Sequence, residues 1–249
     1  MAPYLQEDAT RDGRRKWPAV LQFLAVGALV LLSAPFVLHA LHFGFGGLVS
    51  DLSRVTHLYR TDGTVSNPAM FGHMVAGAVI TLLAPLQLLT VLRRRLPFVH
   101  RLIGYVVCCT AVLTAVGGLA YIWLRQTIGV AYIWLRQTIG GPLMDFAFAG
   151  YGLCVLAAAI QAVRFARARD FERHRRWALR MFVLAIGSWI YRVHYQLWHL
   201  ATGGLWTEPG FTGPFDLFQL FAFYVPYLVG LEIYFRLRPS VAVQPAAAE

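Results

Sequence analysis

The sequence predicts an all-α protein, a polytopic bundle of about six transmembrane helices with both termini in the cytoplasm. Hydrophobic residues make up 58% of the 249 residues and charged residues 14%, whereas soluble domains average about 45–50% and about 25%. The apolar residues are grouped in six long runs, and basic residues cluster between alternate runs. This composition excludes a water-soluble single domain and a disordered chain.

The six apolar runs are long enough for helices, because crossing about 30 Å of hydrocarbon takes about 20 helical residues. Backbone groups cannot stay unpaired in lipid, and the runs lack the alternation of barrel strands, so helices are predicted. The predicted spans are residues 18–40, 71–92, 99–122, 143–164, 177–200 and 215–236. The first run exceeds the apolar core of a cleaved signal peptide, about 7–15 residues, and is therefore predicted to be a retained anchor.

Basic residues predict the orientation of these spans. Of the 22 basic residues, all but Lys16 are arginine, and 17 lie on one side of the membrane under this arrangement. They precede the first span, follow the sixth, and occupy the segments between spans two and three and between spans four and five. The positive-inside rule makes this side cytoplasmic. The net charge of +10 is then a topology signal that requires no nucleic-acid partner, and residues 164–176 could also bind anionic lipid headgroups.

The predicted domain organisation is simple. Residues 1–16 form a cytoplasmic tail, residues 17–238 the transmembrane domain, and residues 239–249 a flexible tail. Residues 42–70 are rich in turn-forming residues and predict an outer loop. After the third span, the sequence Ala120–Gly129 recurs unchanged as Ala131–Gly140. Because 11 residues make nearly three helical turns, residues 120–140 either lengthen the third helix or belong to the loop after it.

Histidines are candidate ligands because they fall into two groups of equal predicted depth. His100 and His174 lie near the cytoplasmic side, and His73 lies near the outer side with His194 or His199. Paired imidazoles on facing helices can hold haem b, and they also bind zinc or copper. The same pattern is typical of interfacial histidines that contact water or lipid headgroups. The candidate haem or metal ligands are His73, His100, His174 and His194.

Charged residues within the spans need partners, because an unpaired charge in hydrocarbon is costly. Arg192 lies well inside the fifth predicted span and is expected to pair with Asp145 or Asp216. Arg180 lies at the same predicted depth as Glu232. Both pairs could be structural clamps between helices. Alternatively, a pocket for a small ligand could be lined by His73, Asp145, Arg192 and His194.

Three short motifs mark the beginnings of predicted spans. Gly72-His73 leads to Pro85-Leu86-Gln87, His100-Arg-Leu-Ile-Gly104 follows a basic loop, and His174-Arg-Arg-Trp-Ala-Leu-Arg180 precedes Arg192 and the late acidic Glu232. In this order they resemble a bacterial family described only as a predicted membrane protein, a domain of unknown function. The resemblance covers residues 70–236 and implies the topology but no substrate. The His-Arg-x-x-Gly motif is also similar to that of membrane b-type cytochromes.

Three functions remain open for this predicted protein of the bacterial inner membrane. The first is a non-enzymatic membrane component, such as a sensor, an assembly factor or a subunit in contact with other membrane proteins. This hypothesis demands least of the sequence. The second is a membrane redox protein that holds haem b with histidine ligands. The third is a transporter or binding protein for a small molecule, with Arg192 in its pocket.

Overall fold

The fold is all-helical, as the sequence predicts. A computed structural model describes residues 19–56, 58–129 and 140–237. These ranges contain nine α-helices, one 3-10 helix and no strand. In chain order the elements are α1 (Ala19–Val49), α2 (Ser66–Leu83), the 3-10 helix (Pro85–Leu88), α3 (Thr90–Arg95), α4 (Pro97–Gly129), α5 (Gly141–Arg167), α6 (Phe171–Ala185), α7 (Gly187–Thr202), α8 (Pro214–Ala222) and α9 (Val225–Leu237).

Five helical segments of the described chain are long and apolar enough to cross a membrane. They are Ala19–Val49, Ser66–Leu88, Pro97–Leu124, Gly141–Arg167 and Pro214–Leu237. The fifth predicted span, residues 177–200, falls in α6 and α7, which are separate helices of 15 and 16 residues. The chain is thus a multi-pass membrane protein, while the count of six and the side of the termini stay predictions.

Tyr151 of α5 provides a physical reason for the interruption between α6 and α7. Its hydroxyl donates a hydrogen bond to the carbonyl of Leu184. The Thr81 hydroxyl of α2 donates to the carbonyl of Gly77 in its own helix at 2.7 Å and lies 3.4 Å from the carbonyl of Ala185. A side chain that enters the hydrogen-bond ladder of a helix is a recognised cause of a break. Gly187 permits this approach, since a Cβ atom there would lie 2.8 Å from the Tyr151 hydroxyl. Two helices therefore cover the length for which one was predicted.

The prediction that the outer loop begins at residue 42 is wrong. Helix α1 continues to Val49, and its glycines serve packing instead of a turn. Gly44 and Gly47 are buried, and a Cβ atom at either position would collide with the side chain of Val75 or Phe71 in α2. Small residues at such an interface let two membrane helices approach closely.

The exact repeat is partly described. Helix α4 continues to Gly129, so the first copy, Ala120–Gly129, is helical in its backbone. This supports a lengthened third helix over residues 120–129. The second copy lies outside the described residues except for Gly140.

The helices share a core of mostly small and aliphatic side chains. Alanines of α4 and α5 are almost completely buried there, including Ala111, Ala115, Ala158 and Ala159. Larger residues close the core, namely Leu184 of α6 and Phe223 directly after α8, at 2% and 1% exposure. Because lipid replaces water around this bundle, close packing of small side chains is what holds the helices together.

The two ends of the bundle differ in charge. We call residues 90–101, 164–180 and 232–236 the arginine-rich end. Three interactions link these segments. Arg175 donates a hydrogen bond to Tyr234 at 3.5 Å, Arg93 interacts electrostatically with Arg175, and Thr90 donates a hydrogen bond to Gln22 near the beginning of α1 at 3.2 Å. The beginning of α1 and the end of α9 are thus at the same end of the bundle. We call the end formed by residues 50–66 and 203–213 the opposite end.

Candidate functional site

Asp216 is the centre of a buried polar network at the opposite end. Its Oδ1 atom accepts a hydrogen bond from the Tyr195 hydroxyl at 2.7 Å. Its Oδ2 atom accepts from the backbone N–H groups of Glu208 and Gly213, at 2.9 and 3.0 Å. The residue is 1% exposed. Asp216 therefore caps α8 and ties it to α7 and to the preceding loop, which is a structural role.

His194 extends this network and has both ring nitrogens engaged. Nδ1 lies 3.2 Å from Oε1 of Gln219, and Nε2 lies 2.8 Å from the hydroxyl of Tyr227. The amide of Gln219 donates to the backbone carbonyl of Tyr191, so its oxygen is free to accept from Nδ1. Nε2 then accepts from Tyr227. A metal or haem iron would have to displace one of these partners. We call Tyr195, Asp216, Gln219, His194 and Tyr227 the Asp216 network.

The predicted pairing of Arg180 with Glu232 is present. Nε of Arg180 lies 2.6 Å from Oε1 of Glu232, and Nη2 lies 3.0 Å from Oε2, so the contact is bidentate. The guanidinium also lies over the rings of Trp177 and Phe235, 4.6 and 5.1 Å from their centroids. This pair joins α6 to α9 at the arginine-rich end as a clamp.

The predicted pairing of Arg192 with a carboxylate is wrong for the described chain. Arg192 donates a hydrogen bond to the backbone carbonyl of Ser188 at 2.8 Å, and its guanidinium lies over the ring of Phe36 at 4.6 Å. Asp216 is occupied by the donors of its own network. Asp145 instead lines an apolar groove of about 770 Å³ between α4 and α5. The sequence predicts the depth of each residue in the membrane. It does not predict the direction of each side chain, and these side chains point to different neighbours.

The outer histidine group is not brought together either. Nδ1 of His73 donates to the carbonyl of Thr114 in α4 at 2.6 Å. His199 makes its hydrogen bond within its own helix, to the carbonyl of Tyr195 at 2.9 Å. The contacts of His73 are thus with α4, and those of His194 are with α8 and α9. Of the four residues in the predicted pocket (His73, Asp145, Arg192 and His194), His73 and Arg192 are the two that interact electrostatically.

The other predicted histidine pair, His100 and His174, does share one location. The two rings are close enough for their charges to interact. Nδ1 of His174 donates to the carbonyl of Ala162 in α5 at 2.9 Å, which leaves the lone pair of Nε2 available. Nδ1 of His100 is buried and has no hydrogen-bond partner. Buried polar atoms are almost always satisfied, so an orphaned ring nitrogen needs an explanation.

Arginines surround this histidine pair. Arg93 of α3 interacts electrostatically with His100 and with Arg175 and Arg94. Burial lowers the pKa of Arg93, and the like charges of Arg175 and Arg94 lower it further. We call His100, His174, Arg93 and Arg175 the His100 cluster. It collects positive charge, and none of the ion pairs of the described chain brings a carboxylate to its members.

Sequence reasoning missed several of these participants. Tyr195, Gln219 and Tyr227 carry no motif, and only their contacts reveal their role. Arg93 was assigned to topology because it belongs to a run of three exposed arginines. No group of three or more His, Cys, Asp or Glu side chains that could hold a metal ion occurs in the described ranges. A site with two histidine ligands remains the arrangement to consider.

Comparisons with known proteins yield a match to a sequence family. The sequence model of one family, described as a predicted membrane protein (DUF2306), matches residues 70–223. No curated protein and no solved structure matches the chain. The matched range includes all four histidines predicted as ligands and Arg192, and it ends before Glu232.

Proposed function

The chain belongs to this family of predicted membrane proteins, and from that premise we propose that it is a bacterial inner-membrane protein that binds haem b between His100 and His174. Haem b held by two imidazoles carries single electrons, because both axial positions of the iron are filled. The proposed role is therefore electron transfer within the membrane. The single observation that carries the proposal is the orphaned Nδ1 atom of His100 beside His174.

The hydrogen bond of His174 supports a ligand role. Metal-binding histidines commonly donate the second ring N–H to a backbone carbonyl, which fixes the tautomer and the orientation of the ring. His174 makes this contact with Ala162 across the α5–α6 interface. His100 is positioned by α4, where its backbone carbonyl accepts a hydrogen bond from Gln87 at 3.1 Å. Both imidazoles are thus presented by helices that pack in the bundle.

The arginines of the His100 cluster support haem over a bare metal ion. Haem carries two propionate groups, and guanidinium groups are suited to bind carboxylates in a bidentate manner. Arg93 and Arg175 interact unfavourably with each other in the absence of an anion. A doubly anionic ligand would relieve this repulsion, whereas a metal cation would add to it.

The arginine-rich end also supports the proposed location in the inner membrane. Positive residues near membrane helices favour the cytoplasmic side, so the arginine-rich end and the proposed haem would face the cytoplasm. The inner membrane is the bacterial membrane to which this rule applies. The lipid bilayer is then the immediate partner, and an electron donor or acceptor would approach from the cytoplasm or within the membrane.

An absorbance spectrum tests the proposal. Protein expressed with added haem and purified in mild detergent should show a Soret band that shifts on dithionite reduction, with a sharp α band. His100→Ala and His174→Ala should each remove at least nine-tenths of the haem while leaving the protein in the membrane. His199→Ala is the matched control, because this histidine lies far from the cluster and bonds only within α7. A flat spectrum from folded protein, or full haem in both variants, contradicts the proposal.

A second candidate function, a non-enzymatic membrane component, is favoured by the Asp216 network. In that network each polar group has a protein partner, so its residues clamp helices and leave no site for a ligand. If the His100 cluster were also structural, the protein would act through contacts with other membrane proteins. Colourless, folded protein whose stability falls when His100 is replaced would favour this candidate over haem binding.

A further inference from the structure

The guanidinium of Arg192 lies beside the middle of α1, a helix long and apolar enough to cross a membrane, since it is 4.6 Å from the ring centroid of Phe36. Helices α6 and α7 together run from Phe171 to Thr202, and Ser188 is close to their midpoint. Arg192 reaches back along α7 to the carbonyl of Ser188 at 2.8 Å. The side chain therefore extends along α7 toward the beginning of that helix and away from the nearer membrane surface. Arginines near the end of a membrane helix commonly extend toward the headgroup region, and the Arg192 side chain extends in the opposite direction.

The surroundings of this guanidinium supply no negative charge. Its cation–π contact with Phe36 and the bond to Ser188 are the direct contacts that it makes in the described chain. Its electrostatic neighbours are Tyr151, Tyr191 and His73, all neutral in their ordinary forms. A guanidinium has five N–H donors, and one of them is used here. An arginine at this depth normally faces a partner or lines a pathway.

The side of the bundle where Arg192 lies is open. The residue is exposed, and the α1 and α7 helices meet through few contacts, among them the bond from the Trp189 indole to the carbonyl of Leu32 at 3.3 Å. Exposure at this depth means exposure to lipid. A molecule that approaches Arg192 would therefore come from the hydrocarbon, between α1 and α7.

His73 of α2 interacts electrostatically with Arg192 and is a further polar group on this side of the molecule. Because Nδ1 of His73 donates to the carbonyl of Thr114, its Nε2 atom carries a lone pair and can accept a hydrogen bond. The hydroxyl of the same Thr114 is buried without a hydrogen-bond partner. His73 thus offers an acceptor within electrostatic range of Arg192, and the Thr114 hydroxyl near the α2–α4 contact has unused hydrogen-bonding capacity.

We infer that Arg192 binds the carboxylate of an amphiphilic molecule, such as a long-chain fatty acid, that enters from the bilayer between α1 and α7. A fatty acid carries its carboxylate at the end of a single apolar chain, so this group is not tied to a glycerol backbone at the membrane surface and can reach the guanidinium. A phospholipid phosphate is anchored in the headgroup region, roughly 15 Å from the midplane. The Arg192 side chain points away from the nearer headgroup region. This site is separate from the His100 cluster, and the inference does not rest on the proposed haem.

Binding of oleate tests this inference. Purified protein in a neutral detergent should bind radiolabelled oleate at about one molecule per chain, and methyl oleate, which lacks the charge, should not compete. Arg192→Gln should weaken oleate binding at least tenfold, whereas Arg192→Lys should keep part of it. Arg101→Gln is the matched control, since Arg101 is exposed and bonds to the carbonyl of Pro97 in its own helix.

The outcomes that overturn the inference do not depend on the folding of one variant. If methyl oleate competes as well as oleate with the wild-type protein, the carboxylate is not recognised. If wild-type protein binds no oleate, or if folded Arg192→Gln protein binds it unchanged, the site is not at Arg192. If phosphatidylglycerol in nanodiscs displaces oleate through Arg192, a lipid headgroup is the ligand instead.

Discussion

The Asp216 network and the His100 cluster use similar polar residues with opposite results. In the network, the carboxylate of Asp216 and both ring nitrogens of His194 have protein partners. In the cluster, a nitrogen of His100 is buried without a partner, and Arg93 lies near other cations. One region is complete by itself, while the other has polar atoms and charge that its own chain does not satisfy.

We interpret this difference as a distinction between residues that stabilise the fold and residues that we propose bind a ligand. Completely satisfied polar groups rigidify a bundle, and partly satisfied ones cost free energy unless something else binds them. We therefore expect substitutions in the Asp216 network to lower the free energy of unfolding. We expect substitutions in the His100 cluster to change ligand binding and to leave stability nearly unaltered.

The largest expected effect is that of Asp216→Ala. The change leaves the Tyr195 hydroxyl and two backbone N–H groups without their acceptor, and hydrogen bonds to charged groups contribute about 1.5–3 kcal/mol each. We expect the free energy of unfolding in mixed micelles to fall by at least about 3 kcal/mol. Asp145→Ala, at the same end, is the control and should change it by at most about 0.5 kcal/mol. Equal effects of both variants would remove the distinction between the two regions.

His194→Phe should have the next largest effect. It leaves the buried oxygen of Gln219 without a donor, which costs about 1–3 kcal/mol. The double variant His194→Phe with Gln219→Leu should recover part of this loss, because replacing both partners by apolar groups is nearly neutral. Thermal unfolding followed by circular dichroism measures both. A double variant that is less stable than the sum of its single changes would contradict the assignment.

A double-mutant cycle on Arg180 and Glu232 should show a smaller coupling. Replacing each by alanine, singly and together, should yield an interaction energy of about 1–2 kcal/mol, since the contact is bidentate and partly buried. The exposed pair Arg60–Asp62, with Nε and Oδ1 at 3.3 Å, is the control and should show at most about 0.5 kcal/mol. No coupling between Arg180 and Glu232 would mean that this end lacks a clamp.

The smallest expected effect on stability is that of His100→Leu in haem-free protein. Removing a buried ring nitrogen that has no partner should leave the free energy of unfolding unchanged or raise it by about 1 kcal/mol. A loss of more than about 2 kcal/mol would show that His100 is structural and would place it with the Asp216 network. Chemical unfolding of wild-type and variant protein grown without added haem is the measurement.

Sequence reasoning predicted the pairing of Arg180 with Glu232 but failed for Arg192. Both predictions came from depth, which counts residues along a helix at about 1.5 Å each. Arg180 and Glu232 lie on facing sides of α6 and α9, so equal depth was enough. For Arg192, the break at Ile186 begins a new helix whose face the sequence did not predict. Asp216 was also unavailable, because it lies three residues after Gly213 and caps α8.

The histidines show the same limit. His100 and His174 follow basic segments, so charge pattern and depth predicted one location for them, and the two rings interact electrostatically. His73 and His194 also share a predicted depth, but their rings bind different helices. Successive side chains on a helix are turned by about 100°. When most of the helix is apolar, its hydropathy does not show which side faces a given neighbour.

The sequence by itself determined that the protein crosses a membrane several times as helices and that its arginines gather at one end. Hydropathy and charge are additive along the chain, and lipid forces each apolar run to satisfy its own backbone. The tertiary structure decided which polar groups meet. It completed the network of Asp216 and divided the fifth predicted span in two. It also left His100 and Arg192 with unused hydrogen-bonding capacity. These outcomes depend on helix rotation and side-chain contacts between segments distant in sequence, which local composition does not encode.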